Sequence, residues 1–147
     1  MVPYGCESFG RLTHVLLHVL STAQLSLITE ATRRHYLFDS VPDAAAYTEE
    51  QERYADLLRS LGVKVLRLSD YVVEHRDLMR RLPNLAYLHD IAVVHSRGAI
   101  VSRMAWPGRA GEETVVREAL GRLGVPVLYD SGGIGAFEGC LLLRPGT

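Results

Sequence analysis

Two segments of the sequence, residues 58–66 (LRSLGVKVL) and 120–128 (LGRLGVPVL), follow one pattern. In both, a leucine-bearing helical stretch meets a glycine, Gly62 or Gly124, and a run rich in valine and leucine follows. Glycine adopts the left-handed conformation that ends many helices, and the run after it has the composition of a strand. Two such copies predict an α/β fold with a repeated supersecondary unit. By itself the pattern favours a doubly wound sheet.

The first half of the chain contains one strong helical pattern between two strand-like runs. Strands are predicted over residues 12–19 and 63–68, and a helix is predicted over residues 44–61. Residues 22–37 are predicted to be mostly loop, and residues 72–81 to form a second helix. The apolar residues of the first helix recur at helical spacing and predict its buried face: Tyr47, Tyr54, Leu57, Leu58 and Leu61.

The second half repeats strand-like and helix-like runs in close succession. Residues 91–94 and 99–101 are unbroken apolar runs of strand length, which is typical of strands buried on both faces. A helix is predicted over residues 111–123, and further strands over residues 125–129 and 137–143.

Composition restricts the class of protein. The chain has 147 residues, 48% of them hydrophobic, with a formal net charge of −1, which predicts a single globular domain over residues 1–147. We expect no nucleic-acid partner, no membrane partner and a cytoplasmic location, since neither a basic excess nor an apolar span is present. The two cysteines, Cys6 and Cys140, fit a reducing compartment. No Cys/His ligand pattern occurs, so no metal and no cofactor are expected.

Two charged residues stand beside the apolar strands of the second half. Asp90 is placed where the first of these strands begins, and Arg109 lies in the loop after the second. An unpaired charge at such a place costs several kcal/mol in desolvation, so a partner is expected for a buried one. The structural alternative is that Asp90 caps a turn and that Arg109 is a solvated loop cation.

Several segments together resemble the guanidino-group-modifying enzymes, which include arginine deiminases, dimethylarginine hydrolases and amidinotransferases. Residues 83–90 (PNLAYLHD) and 104–109 (MAWPGR), with an acidic helix start after them, resemble the deiminase pattern Pro-Asn, aromatic-x-Arg-Asp and Met-x-x-Pro-x-Arg-Arg. Residues 137–140 (FEGC) resemble the family's Glu-Gly-Gly-Asp or Glu-Gly-Cys-Asp strand. Residues 10–18 and 37–43 resemble the start of those enzymes.

The resemblance implies a particular α/β fold. Its members form an α/β propeller, called pentein-like, in which five ββαβ modules ring a central substrate channel. By that comparison the chain supplies about two modules and one strand of a third, as the N-terminal part of a longer enzyme. An incomplete ring leaves apolar strand edges exposed, so self-association is expected.

The resemblance also implies an activity and a site. The implied reaction converts arginine and water to citrulline and ammonia through an amidino intermediate on a cysteine, with a histidine shuttling protons. Asp90 and Glu138 match catalytic carboxylates that hold the guanidinium, because a carboxylate meets this planar cation bidentately. Arg109 matches the arginine that receives the substrate's α-carboxylate, and Asn84 and Tyr87 match residues that line the pocket.

The sequence departs from the family pattern at three points. His89 replaces the arginine before the aspartate, and Leu141 replaces the acid expected after Cys140. The family's catalytic histidine and cysteine are expected beyond Thr147, so the chain alone is predicted to lack turnover. Cys140 itself is interpreted as a small buried thiol.

Alternatives remain open on the sequence. Within the enzyme class, the chain could belong to an amidinotransferase or a dimethylarginine hydrolase. It could also be a binding module that holds arginine-like ligands without turnover, or an α/β domain that serves protein contacts.

Overall fold

A computed structural model describes residues 3–5, 10–131 and 135–137 of the chain. Its strands form two small sheets rather than one. The first sheet pairs β1 (His14–Leu17) with β2 (Lys64–Arg67) in parallel. Two helices, α1 (Thr22–Leu25) and α2 (Ala44–Ser60), connect these strands. The doubly wound sheet that the repeat alone favoured is therefore not seen among the described strands.

The second sheet has three strands and one crossover helix. An antiparallel hairpin joins β3 (Ala92–His95) to β4 (Gly98–Val101), and β5 (Val127–Asp130) lies parallel to β4. The crossover from β4 to β5 contains α4 (Glu112–Leu123). These elements occur in the order strand, strand, helix, strand, which is the order expected of one module. The number of modules in the chain remains a prediction.

The repeated sequence pattern produces the same backbone motif twice. Gly62 and Gly124 both have left-handed backbones, with φ of 81° and 78°. The next residue donates its backbone N–H back into the helix each time, from Val63 to Leu58 O (3.0 Å) and from Val125 to Leu120 O (2.9 Å). This arrangement satisfies carbonyls that a helix end leaves free and directs the chain into the following strand.

One predicted helix is much shorter than expected. Periodicity predicts a helix over residues 72–81, but α3 contains only Arg76–Met79. The backbone N–H groups of residues 73–75 donate to the Glu118 carboxylate of α4 at 2.6–3.0 Å. That contact from a distant part of the chain fixes a non-helical approach to α3. Sequence periodicity contains no signal for it.

The predicted buried face of α2 is wrong in part. Leu58 is buried, together with Ala55, but Tyr54, Leu57 and Leu61 are 53%, 55% and 65% exposed. The two strands of the first sheet are too few to cover the whole apolar stripe of the helix. A face that periodicity marks as buried is therefore left uncovered within the described part of the chain.

Most buried side chains belong to one core between α4 and the second sheet. It also includes residues from the segment before β3, among them Leu85 and Ile91, both 0% exposed. A smaller cluster of Leu20, Leu25 and Ile28 lies under α2. No helix of the described residues is both long and apolar enough to cross a membrane.

Candidate functional site

Asp90 is held at the end of a short 3₁₀ turn, Leu88–Asp90, directly before β3. Its backbone N–H donates to Tyr87 O at 3.1 Å, and the next residue, Ile91, is fully buried. Ile91 in turn accepts a hydrogen bond from the Ser102 N–H, at 2.7 Å, after β4. The apolar core thus fixes the backbone on one side of Asp90, and the Asp90 side chain lies at the edge of that core.

Arg109 ends a second 3₁₀ turn, Pro107–Arg109, between β4 and α4. The preceding Trp106 donates its indole N–H to His35 O at 2.6 Å. Gly108 lies so close to the same carbonyl that an added Cβ would sit 2.1 Å from it. Arg109 is consequently drawn inward and buried. The interpretation as a solvated loop cation is wrong.

Asp90, Arg109 and Glu112 form what we call the ionic cluster. Arg109 Nη1 donates to Asp90 Oδ2 at 2.8 Å, and Arg109 Nε donates to Glu112 Oε2 at 2.9 Å. Arg109 Nη2 also lies 2.8 Å from Glu112 Oε2. Side-chain exposure falls along the row, from 31% at Asp90 to 7% at Arg109 and 0% at Glu112.

The charges of the cluster depend strongly on burial. Desolvation raises the pKa of Glu112 to about 7, even though Arg109 favours its ionised form. Burial lowers the pKa of Arg109, but its hydrogen bonds to Glu112 and Asp90 outweigh that effect and raise the pKa overall. Arg109 therefore remains a cation, while Glu112 is poised to change its charge near neutral pH.

Sequence reasoning noted an acidic helix start but did not identify Glu112. A usable signal was present, because Glu112 follows Arg109 by three residues and opens α4. Acidic side chains in a first helical turn are stabilised by the helix dipole, which favours an acid at this position. What the sequence did not reveal is that the turn before α4 would bury both partners.

Asn84 and Tyr87 lie on the same short segment as Asp90. Asn84 is buried and donates from Nδ2 to Tyr36 O at 3.0 Å, while its Oδ1 has no protein partner among the described residues. Tyr87 is half exposed. Burial and a hydrogen bond with Tyr87 raise the pKa of Tyr47 above its ordinary value. Neither Asn84 nor Tyr87 forms a side-chain hydrogen bond with Asp90 in the part of the chain described.

Glu138 lies outside the described residues, as do Cys6 and Cys140. The described residue before it, Phe137, donates its backbone N–H to Ser102 Oγ at 3.0 Å. Ser102 follows β4 directly. The catalytic role suggested for Glu138 remains a prediction.

A cavity of about 330 Å³ lies elsewhere, where β1 and β2 end. Its lining includes His18 and the paired side chains of Glu52 and Arg67. His18 is buried next to Gln24, and desolvation lowers its pKa to about 4. At neutral pH the cavity thus presents an uncharged imidazole beside a compensated ion pair. Among the described residues, no three His, Cys, Asp or Glu side chains are arranged to hold a metal ion.

No protein-family model matches the chain. Over 76 residues, 51% of the chain, the sequence is 42% identical to an arginine deiminase of Mycolicibacterium gilvum. Over 68 residues, 46% of the chain, it is 37% identical to an arginine deiminase of Borrelia recurrentis. About half of this chain is homologous to part of the arginine deiminases. The matched segments span only 19% and 16% of those two relatives.

The fold of this arginine deiminase-like chain is similar to part of a solved dimethylarginine dimethylaminohydrolase. That structure, an adduct with 4-chloro-2-hydroxymethylpyridine, matches 82% of the chain and 40% of its own length, with a TM-score of 0.55. Sequence identity is 20%, so the likeness concerns the fold alone. The resemblance to arginine deiminases is confirmed for part of the chain. The fold is similar to part of a pentein.

Proposed function

We propose that the chain is the guanidinium-binding part of an arginine deiminase-like hydrolase. The observation that carries this proposal is the position of Asp90. One of its carboxylate oxygens, Oδ2, accepts a hydrogen bond from buried Arg109, and its side chain remains 31% exposed. No hydrogen bond to the other oxygen, Oδ1, occurs among the described residues. A carboxylate held in this way is preorganised to accept N–H groups from a planar cation.

The proposed chemistry follows from the substrate group. Carboxylates neutralise a guanidinium and fix its plane, which presents the central carbon to a nucleophile. Asp90 takes this role in the proposal, and Glu138 is the second carboxylate that the resemblance implies. Asn84 and Tyr87 line the pocket beside them. The resemblance further implies a contact between Arg109 and the substrate's α-carboxylate.

Binding of arginine to the full chain tests the proposal, by calorimetry or by NMR titration. Asp90→Asn removes the charge that meets the guanidinium, so affinity should fall at least about tenfold. Asp77→Asn is the matched control, since that acid is 91% exposed and, within the described part of the chain, pairs only with Arg80 across the surface of α3. Equal affinity in wild type and Asp90→Asn would refute the proposed role.

A citrulline assay addresses turnover separately. The resemblance matches no residue of the chain to the family's catalytic cysteine or histidine. We therefore expect arginine binding without citrulline formation by the 147-residue chain. Citrulline produced by the purified chain, and lost in Asp90→Asn, would show that the chain carries its own nucleophile.

A further inference from the structure

Two consecutive backbone carbonyls, those of His35 and Tyr36, accept hydrogen bonds from the two segments that hold the candidate site. His35 O accepts the Trp106 indole N–H at 2.6 Å, and Trp106 directly precedes the 3₁₀ turn that ends at Arg109. Tyr36 O accepts a hydrogen bond from Asn84 Nδ2 at 3.0 Å. We call these two acceptors the carbonyl pair. The pair meets donors that are 71 and 48 residues distant in the sequence.

The contact between the turn and His35 O is tight. Gly108 lies against this oxygen, so that an added Cβ would sit only 2.1 Å from it. The turn therefore meets one oxygen twice, through a directional hydrogen bond from Trp106 and through close packing of Gly108. Arg109 follows Gly108 directly, so its backbone position depends on where His35 O lies.

The carbonyl pair is itself fixed by the first half of the chain. The Tyr36 N–H donates to Thr32 O at 3.1 Å, and the Phe38 N–H donates to Arg33 O at 2.8 Å. Both aromatic side chains pack against the smaller buried cluster under α2. Leu37, between them, has a left-handed φ of 61°, which costs free energy for a residue with a side chain. Such a conformation persists where the surrounding contacts over-determine the backbone.

We infer that the carbonyl pair couples the turn that holds Arg109 to the segment that holds Asn84, and that Trp106 is the positioning residue for this coupling. The inference rests on the proposed function, since the two coupled parts are those proposed to contact arginine. Consecutive carbonyls belong to adjoining rigid peptide planes, so a shift of one displaces the other. The first half of the chain thereby sets the spacing of a site whose proposed side chains come from the second half.

Arginine binding to the full chain is the first test. Trp106→Phe keeps an aromatic ring and removes the N–H that His35 O accepts, so arginine affinity should fall about threefold to tenfold. Tyr54→Phe is the matched control, since this aromatic residue of α2 is similarly exposed and loses one polar group. Equal affinity in wild type and Trp106→Phe would overturn the inference and leave the proposed function standing. Absence of arginine binding by the wild type would overturn both.

Glu118→Gln separates positioning from a general loss of stability. It weakens the hydrogen bonds that the Glu118 carboxylate accepts from residues 73–75, so the chain should be less stable. Arginine affinity should nevertheless stay at the wild-type value, because these bonds involve neither Trp106 nor the carbonyl pair. A fall in affinity as large as that in Trp106→Phe would assign the effect to stability and overturn the inference.

NMR spectra of the free chain test the coupling without a ligand. Trp106 and Asn84 share no hydrogen bond among the described residues, yet Trp106→Phe should shift the Asn84 side-chain amide signals, because the carbonyl pair moves. Gly108→Ala keeps the indole ring and should shift the same signals, since its Cβ displaces His35 O. Tyr54→Phe should leave them in place. Unshifted Asn84 signals in Trp106→Phe would overturn the coupling, whether or not Gly108→Ala folds.

Discussion

Glu118 of α4 is an acid that binds backbone rather than ligand. Its carboxylate accepts the N–H groups of Val73, Glu74 and His75, the His75 ring nitrogen at 2.9 Å and Arg122 Nε at 2.9 Å. Burial opposes its ionisation, but the hydrogen bonds from Glu74, Val73 and His75 outweigh that and hold the pKa below its ordinary value. This one side chain decides where α3 begins.

Glu118→Gln should lower the free energy of unfolding by about 2–3 kcal/mol, because several charge-assisted hydrogen bonds weaken at once. Urea denaturation at neutral pH measures the change. Glu49→Gln removes an acid from an exposed pair with Arg53 and should cost under about 0.5 kcal/mol. Similar values for the two variants would contradict the structural role given to Glu118.

His18 predicts a pH dependence of stability. Its folded pKa of about 4 lies below the ordinary value of 6.5, so the unfolded chain binds a proton more readily. Its contribution is complete above about pH 6.5 and is lost as pH falls towards 4, by about 3 kcal/mol at most. The free energies of unfolding of wild type and His18→Gln, measured at several pH values, isolate the slope of stability against pH that His18 causes. The exposed His89→Gln variant should keep it, and a slope unchanged in His18→Gln would count against the assignment.

At the scale of elements, the repeated helix–glycine–strand motif depends on the two glycines that end α2 and α4. An added Cβ at Gly62 would meet open space, so its left-handed φ of 81° is what excludes other residues. The same glycine position in two places directs α2 into β2 and α4 into β5. The repeat is therefore a repeat of backbone geometry as well as of sequence.

One substitution made at two glycines should have opposite effects. Gly62→Ala should destabilise the chain by about 1 kcal/mol, since alanine is strained in the left-handed region. Gly121→Ala should stabilise it by up to about 1 kcal/mol, because Gly121 lies inside α4 with open space around it. Thermal unfolding of both variants measures whether each substitution raises or lowers stability. A stabilised Gly62→Ala variant would show that the left-handed turn is not required.

At the scale of the whole molecule, the uncovered face of α2 is an apolar surface. Tyr54, Leu57 and Leu61 are exposed together along one side of the helix. A contiguous apolar surface of this kind favours association in water. The surface is a second reason to expect self-association, beside the exposed strand edges that an incomplete ring predicts, and self-association itself remains a prediction.

Leu57→Glu should reduce self-association, because it places a charge in the middle of this face. Sedimentation velocity over a range of concentrations measures the effect. Val73→Glu is the control, since Val73 is similarly exposed but lies outside α2. Equal reductions in both variants would indicate that added charge matters and that the α2 face does not.

The sequence by itself determined the α/β class, the longer helices α2 and α4, the five described strands within a few residues of their ends, and the two glycine stops. These features depend on local periodicity and on glycine's backbone freedom, which neighbouring residues encode. It also singled out Asp90 and Arg109, from their type and their place beside buried strands.

Only the tertiary structure decided which charges meet. Asp90 and Arg109 are 19 residues apart, and their contact exists because the core places the two turns side by side. Burial of Glu112, the hold of Glu118 on the start of α3 and the exposed face of α2 are likewise properties of packing. Each depends on residues distant in sequence, where local patterns carry no information about desolvation or partners.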